Sequence, residues 1–281
     1  MGINLKNGGG MYMNYKKLIL NGKSVREFKN KGIEEKSFNE IKSYIKNSKK
    51  LLPEIDFEIK AFEKKDIYAK LDKVAGYNGF MIEAPNYIVI LSDIKNGYIE
   101  NSGYIGERLI LKARDLEIAS CWITFKDSDV IKERLNISSD KEVTAIIALG
   151  YEDTKNTKHK NVSDKLSVEK IAYMDEWGKN TSVTDLEERG LLDAFSYARM
   201  APSTLNRQPW RFIIDGGNVI LAVKKDDFTS SYERGIDVGI SMLYFGLIID
   251  TTLFDLKWSI GNTDKDYKIP SDYEVVGYCS M

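Results

Sequence analysis

The stretch Ala201-Pro202-Ser203-Thr204-Leu205-Asn206-Arg207-Gln208-Pro209-Trp210-Arg211-Phe212 sets how the rest of this 281-residue chain is read. Upstream, a helix is expected from about Leu186 to Met200, opened by Thr184 or Asp185. Downstream, Trp210–Ile214 reads as a strand. The stretch is therefore a helix-to-strand loop. Its two prolines fix the backbone, and Ser203, Thr204, Asn206 and Gln208 line it with hydrogen-bonding groups. Such a rim suits the polar edge of a flat ring or a row of hydroxyls. It also reads as a structural loop that seats Trp210 in a core.

Two further segments carry chemistry. Lys23-Ser24-Val25-Arg26-Glu27-Phe28 follows a helical stretch marked by Tyr15, Leu18 and Ile19 and precedes Lys31-Gly32. Two cations and a hydroxyl within four residues can grip a phosphate, although an ordinary charged turn has the same composition. Asp115–Thr124 reads as a helix turning into a short extended piece, which exposes backbone N–H groups near Ile123 and Thr124. Cys121 reads as a small buried hydrophobe, because neither a histidine nor an obvious cation accompanies it.

Around these segments the elements fall into two runs. Residues 1–13, with Asn7-Gly8-Gly9-Gly10, form a flexible start without the apolar centre of a secretory signal. Phe38, Ile41, Tyr44 and Ile45 mark a helix with Ser37 as its cap, ended by Pro53. Phe57, Ile59 and Ala61 alternate as a strand, and Tyr87–Leu91 is a buried strand. A long helix spans Ile105 to Ile118, and Val143–Leu149 is a buried strand closed by Gly150. A polar connector from Glu152 to about Lys165 follows. The pattern then restarts, with strands at Trp210–Ile214 and Val219–Val223, a long apolar helix from Ile236 to Asp255 and a strand at Glu274–Tyr278. Gly103 and Trp122 bracket the first long helix as Gly239 and Trp258 bracket the second, both offset by 136 residues. Together with the repeated element order, this points to an internal duplication.

Composition narrows the chemistry. The hydrophobic share of 43% and charged share of 30% fit a soluble globular protein with a sizeable core. A net charge of -1 argues against a protein built mainly to hold nucleic acid or an anionic membrane. The longest apolar stretch, Ile240–Ile249, is far short of the ~20 residues of a membrane helix. Cys121 and Cys279 are the only cysteines, which suits a reducing cytoplasm. His159 is the only histidine and lies in the polar stretch Thr157–Asn161, which argues against histidine-based triads and histidine-rich metal sites. If the chain is an enzyme, a bound cofactor carries the hard chemistry.

Taken together, the three segments resemble the nitroreductase family of FMN flavoproteins. Its phosphate motif Arg-x-Ser-x-Arg/Lys-x-Phe/Tyr is matched at Ser24-Val25-Arg26-Glu27-Phe28, with Gly22 in place of the leading arginine. Its Ala-Pro-Ser-x-x-Asn-x-Gln-Pro-Trp-x-Phe loop is matched at 201–212, and its helix ending in Gly-x-Cys-Trp at 119–122, where Glu117 and Ala119 replace glycines. The family ordinarily places the first two motifs in one short subunit and forms its sites between two subunits. Here they lie in different halves, with Ser48–Glu54 where the first half's own loop would stand and Phe254–Trp258 in place of the second half's glycine-rich turn. That order is similar to the subgroup made as a tandem, single-chain pseudo-dimer.

The resemblance implies an α+β fold of two pseudo-repeated halves, each with a central, mostly antiparallel sheet flanked by helices. The halves would be 14–165 and 166–281, packed as an intramolecular pseudo-dimer with one intact flavin site. Lys23, Ser24 and Arg26 would contact the FMN phosphate, ribityl chain or ring edge, and Lys165 would add a compensating cation. Pro202, Ser203, Thr204 and Asn206 would pack on and bond the flavin from the other half. Ile123 and Thr124 would give backbone contacts near flavin N5, and Asn78 would reach the pyrimidine edge. The implied activity is NAD(P)H-dependent reduction of nitro compounds, quinones or a related small acceptor by ping-pong hydride transfer, with no catalytic side chain and no metal. The alternative is a non-enzymatic flavin-binding or redox-sensing protein. The expected state is a cytoplasmic monomer or weak homodimer.

Overall fold

Strands Asn86–Ser92 and Glu142–Gly150 are apolar at nearly every position because each lies between two cores. The computed structural model describes residues 13–77, 79–155, 164–251 and 255–281. Asn78, His159, Phe254 and residues 1–12 of the expected flexible start lie outside the described residues. The order is α1 (Tyr15–Leu20), α2 (Glu35–Lys46), β1 (Phe57–Glu63), α3 (Lys64–Leu71), β2 (Asn86–Ser92), α4 (Tyr98–Asp115), β3 (Ala119–Ile123), α5 (Ser128–Leu135) and β4 (Glu142–Gly150). It continues with α6 (Val168–Ile171), β5 (Ala172–Met174), α7 (Val183–Glu188), α8 (Leu192–Ala198), β6 (Trp210–Asp215), β7 (Asn218–Lys224), α9 (Ser231–Ile249), β8 (Trp258–Ile260) and β9 (Tyr273–Ser280). The chain divides into two compact units, Gly22–Val162 and Ser163–Met281 with Met1–Asn21.

The first unit holds an antiparallel sheet of order β1-β2-β4-β3. Alternate side chains leave opposite faces of a strand. Tyr87, Val89, Leu91, Ile146 and Ala148 therefore join Ile67 and Leu71 of α3 and Ile131 and Leu135 of α5. Ile88, Ile90, Ala145, Ile147 and Leu149 join Ile41 and Ile45 of α2 and Ile105 and Leu109 of α4. Helices on both faces remove the polar face that a half-solvated antiparallel sheet would show.

The second unit repeats that order as β6-β7-β9-β8, again antiparallel, and adds β5 parallel to β6. On one face Phe195, Phe212, Phe245 and Trp258 form an aromatic cluster with centroids 5.1–5.9 Å apart. Helices α8 and α9 pack together there, and α1 packs on both. On the other face, among the described residues, α3 and α5 have no counterpart. Gly216 and Gly217 turn β6 directly into β7, and residues 261–272 cross from β8 to β9 as a loop. Tyr173, Trp177, Tyr267 and Ile269 cover Ile213 and Ile220 instead.

Several expectations are corrected. The helix expected over 186–200 is two helices. Gly190, at φ +68°, lets the Leu191 N–H donate to Leu186 O (2.8 Å), which closes α7, and Ser182 rather than Thr184 or Asp185 caps it. The first long helix stops at Asp115, short of Ile118, where Glu117 takes φ +59° and the Ile118 N–H donates to Ala113 O (2.9 Å). The second stops at Ile249 rather than Asp255. Helix α2 starts at Glu35, so Ser37 lies inside it and caps nothing. Residues 14–21, assigned by sequence to the first half, belong to the second unit, because α1 buries Leu18 and Ile19 in a helix that packs on α8 and α9. Gly103 and Gly239 do not bracket the long helices at their starts but lie inside them, within Tyr98–Asp115 and Ser231–Ile249.

Candidate functional site

The Gly22–Phe28 strip is held extended by the end of the first unit's sheet. The Val25 N–H donates to Ser120 O (2.9 Å), the Asp153 N–H to Glu27 O (3.0 Å) and the Lys29 N–H to Tyr151 O (2.8 Å). Val25 is buried, so alternation turns its neighbours Ser24 and Arg26 outward, and both are exposed. Among the described residues neither has a hydrogen-bond or ion-pair partner. Lys23 differs, because its ammonium donates to both oxygens of Glu152 (2.5 and 2.7 Å). Its charge is thus already compensated, and the open donors of the strip reduce to Ser24 and Arg26.

The end of α4 leads into β3 through the left-handed Glu117, the position where the sequence departs from glycine. Ile123 is buried in β3. Thr124 is tied to the loop after α3: its carbonyl accepts from the Gly76 N–H (2.7 Å) and its hydroxyl donates to Gly76 O (3.1 Å). Gly76 needs its lack of a side chain, since at φ +102° a Cβ would stand 2.1 Å from Phe80 O. Cys121 is buried, and that burial pushes its thiol up to about 11 although the Arg26 charge pulls it down.

The 201–209 loop lies in the second unit and is knitted to itself. Lys165 donates to Ala201 O (2.7 Å) and Asn206 Oδ1 (3.1 Å), so this cation braces the loop. The Asn206 amide donates to Asp164 O (3.0 Å). Ser203 Oγ accepts from the Gln208 N–H (2.9 Å), and Gln208 Oε1 accepts from the Leu166 N–H (2.8 Å). The Thr204 N–H is shared between both carboxyl oxygens of Asp237 (3.0 Å each), and its hydroxyl donates to Oδ1 (3.3 Å). Arg207 grips Asp226 with two N–H groups (2.6 and 2.9 Å). Burial pushes the Asp226 carboxyl up, but Arg207 and the Phe228 N–H outweigh it and hold it below the usual range. Trp210 is fully buried at the head of β6.

Sequence reasoning missed Glu152, Asp226 and Asp237. The first two sit in polar stretches where nothing singles them out. Asp237 carries a signal: it is the one charged residue between Gly235 and Ile249 of a long apolar run, flanked by Ile236 and Val238. Burial pushes its carboxyl up to about 8, against the opposing bonds from Thr204. Among the described residues no group of metal-ligating side chains is assembled, and no helix is long and apolar enough to cross a membrane.

A family model described as "Putative TM nitroreductase" matches residues 14–249. A solved structure described as a putative nitroreductase from Thermotoga maritima is similar at 20% identity, with a TM-score of 0.57, covering 99% of this chain and 98% of that one. An FMN-dependent nitroreductase from Clostridium difficile aligns at 23% identity and a TM-score of 0.40, over 51% of this chain and 91% of its own. A putative NADH oxidase from Clostridium acetobutylicum aligns at 21% identity and 0.45, over 55% and 96%. No match was found among the curated proteins.

Proposed function

The chain belongs to the family described as "Putative TM nitroreductase", and from that premise we propose that it is an FMN-dependent oxidoreductase that takes electrons from NAD(P)H and passes them to a small nitro, quinone or related acceptor. The residues present fit the cofactor. A flavin phosphate needs hydroxyl and guanidinium donors that are not already engaged, and Ser24 and Arg26 are of that kind. Lys23, compensated by Glu152, would add less. When bound, FMN supplies the two-electron chemistry.

The protein's own contribution is binding and shape. Ser24 and Arg26 would bind the phosphate. Pro202, Ser203, Thr204 and Asn206 would pack on and hydrogen-bond the flavin, on a loop held by Lys165, Gln208 and Asp237. Ser203 Oγ accepts one bond and keeps its proton to donate. Ile123 and Thr124 would contribute backbone groups, and the repeated strand order would derive from duplication of one ancestral unit.

The observation that carries this reading is Arg26, an exposed arginine without a carboxylate partner among the described residues, inside the family match. The test is the absorbance spectrum of freshly purified protein, with mass spectrometry of what denaturation releases, followed by NAD(P)H oxidation with a nitroaromatic or a quinone. Released FMN with steady turnover supports the enzyme. Released FMN without turnover favours a flavin-binding or redox-sensing protein. Absence of flavin that added FMN does not restore overturns both.

A further inference from the structure

Resting on the flavin reading above, we propose that Asp237 is a positioning residue that clamps the 201–209 loop into its binding shape from inside the second unit. Three residues of this loop, none of them glycine, stand in the left-handed region: Leu205 (φ 53°), Asn206 (φ 55°) and Gln208 (φ 50°). For L-residues that backbone is unfavourable, and most of all for leucine, which has no polar side chain to bond locally. Leu205 gains nothing from burial either, since it is 59% exposed. At Leu205 the shape therefore persists because something other than that residue holds it.

The hold lies immediately before them. Asp237 is 2% exposed on α9, with Ile236 and Val238 as chain neighbours. Removing a carboxyl from water this completely is costly unless its oxygens are bonded. Both oxygens receive the Thr204 N–H, and Oδ1 also receives the Thr204 hydroxyl. A rigid helix thus grips the first residue of the strained turn. Ser203 Oγ and the Gln208 side chain close it at the far end. The charged groups acting on the Asp237 carboxyl are Glu233, one turn earlier on α9, and Lys165, at the far side of the loop. Lys165 in turn donates to Asn206, so acid and cation brace the same turn.

Backbone hydrogen exchange of the flavin-free protein tests the clamp directly. In Asp237→Leu, peptides covering 203–208 should exchange about tenfold faster or more, while β6 and β7 keep their protection. Asp237→Asn, which keeps one acceptor oxygen, should fall between Leu and wild type and serves if the Leu variant does not fold. A second readout separates positioning from phosphate binding: Asp237→Asn should weaken FMN and riboflavin alike, whereas Arg26→Ala should weaken FMN and leave riboflavin unchanged. Wild-type exchange across 203–208 in the folded variants overturns the clamp. If the wild-type protein takes up no flavin, the flavin reading falls, and the exchange measurement still decides the clamp by itself.

Discussion

Arg26 and Asn206 show opposite uses of a polar side chain. Arg26 stands exposed on a strip whose backbone is fixed by Ser120, Tyr151 and Asp153, and no described residue engages its guanidinium. Asn206 is bonded at both ends, by Lys165 and to Asp164. The contrast runs through the two units. The first surrounds its sheet with helices on both faces and leaves open donors at the sheet's end. Among the described residues, the second lacks the counterparts of α3 and α5 and puts its polar groups into holding one strained loop. One strand order therefore supports two specialisations: accessible charge in one unit, enforced shape in the other.

The largest expected effect that would break this contrast is the pH dependence of the second unit. Native Asp237 keeps its proton to about 8, whereas an unfolded aspartate releases it near 4. Between those values the native state binds the extra proton. The contribution of Asp237 to stability should be fully present below about pH 4 and be lost as pH rises towards 8. Denaturant midpoints compared at pH 5, 7 and 9 should show the fall in wild type and a flatter profile in Asp237→Asn. An equally steep profile in the variant would remove Asp237 as its source.

Next in size is the open strip. Arg26→Ala should weaken FMN binding about 10- to 100-fold without lowering thermal stability, and Lys23→Ala should cost less because Glu152 already compensates that charge. A flavin titration with a melting curve for each variant checks both halves of the statement. Equal losses would mean that Glu152 releases Lys23 to the ligand.

The two long helices sharpen the comparison further. A Cβ at Gly106 would stand 2.4 Å from the Trp122 ring, which is itself held by its indole N–H donating to Glu107 (2.9 Å). Gly106→Ala should cost about 1–3 kcal/mol. The same change at Gly246 meets, among the described residues, only Leu256, at 3.6 Å, and should be neutral or gain up to about 1 kcal/mol from helix propensity. Paired unfolding curves would show the two signs. The smallest effect is at Glu117: replacing it with glycine at φ +59° should stabilise by about 0.5–1 kcal/mol.

Much of this was readable from residue patterns. Tyr87–Leu91 and Val143–Leu149 announce strands because burial on both faces makes them continuously apolar. The family motifs at 22–28 and 201–212 point to a flavin. Helix ends were less legible. Glu117 adopts a glycine's backbone without being glycine, so the stop after Asp115 has no residue-type signal, whereas Gly190 does mark the break between α7 and α8. The division of 14–21 was hidden because α1 is short and its partners α8 and α9 lie far along the chain. The engagement of Lys23 by Glu152 and of Thr204 by Asp237 depends on contacts 129 and 33 residues apart, which spacing alone does not reveal.

The most direct measurement is the molar ratio of FMN to polypeptide in the purified, flavin-saturated protein. The Ser24–Phe28 strip and the Pro-Ser loop each occur once in the sequence, so the account predicts one FMN per chain. Two per chain, or none at saturating FMN, would contradict it.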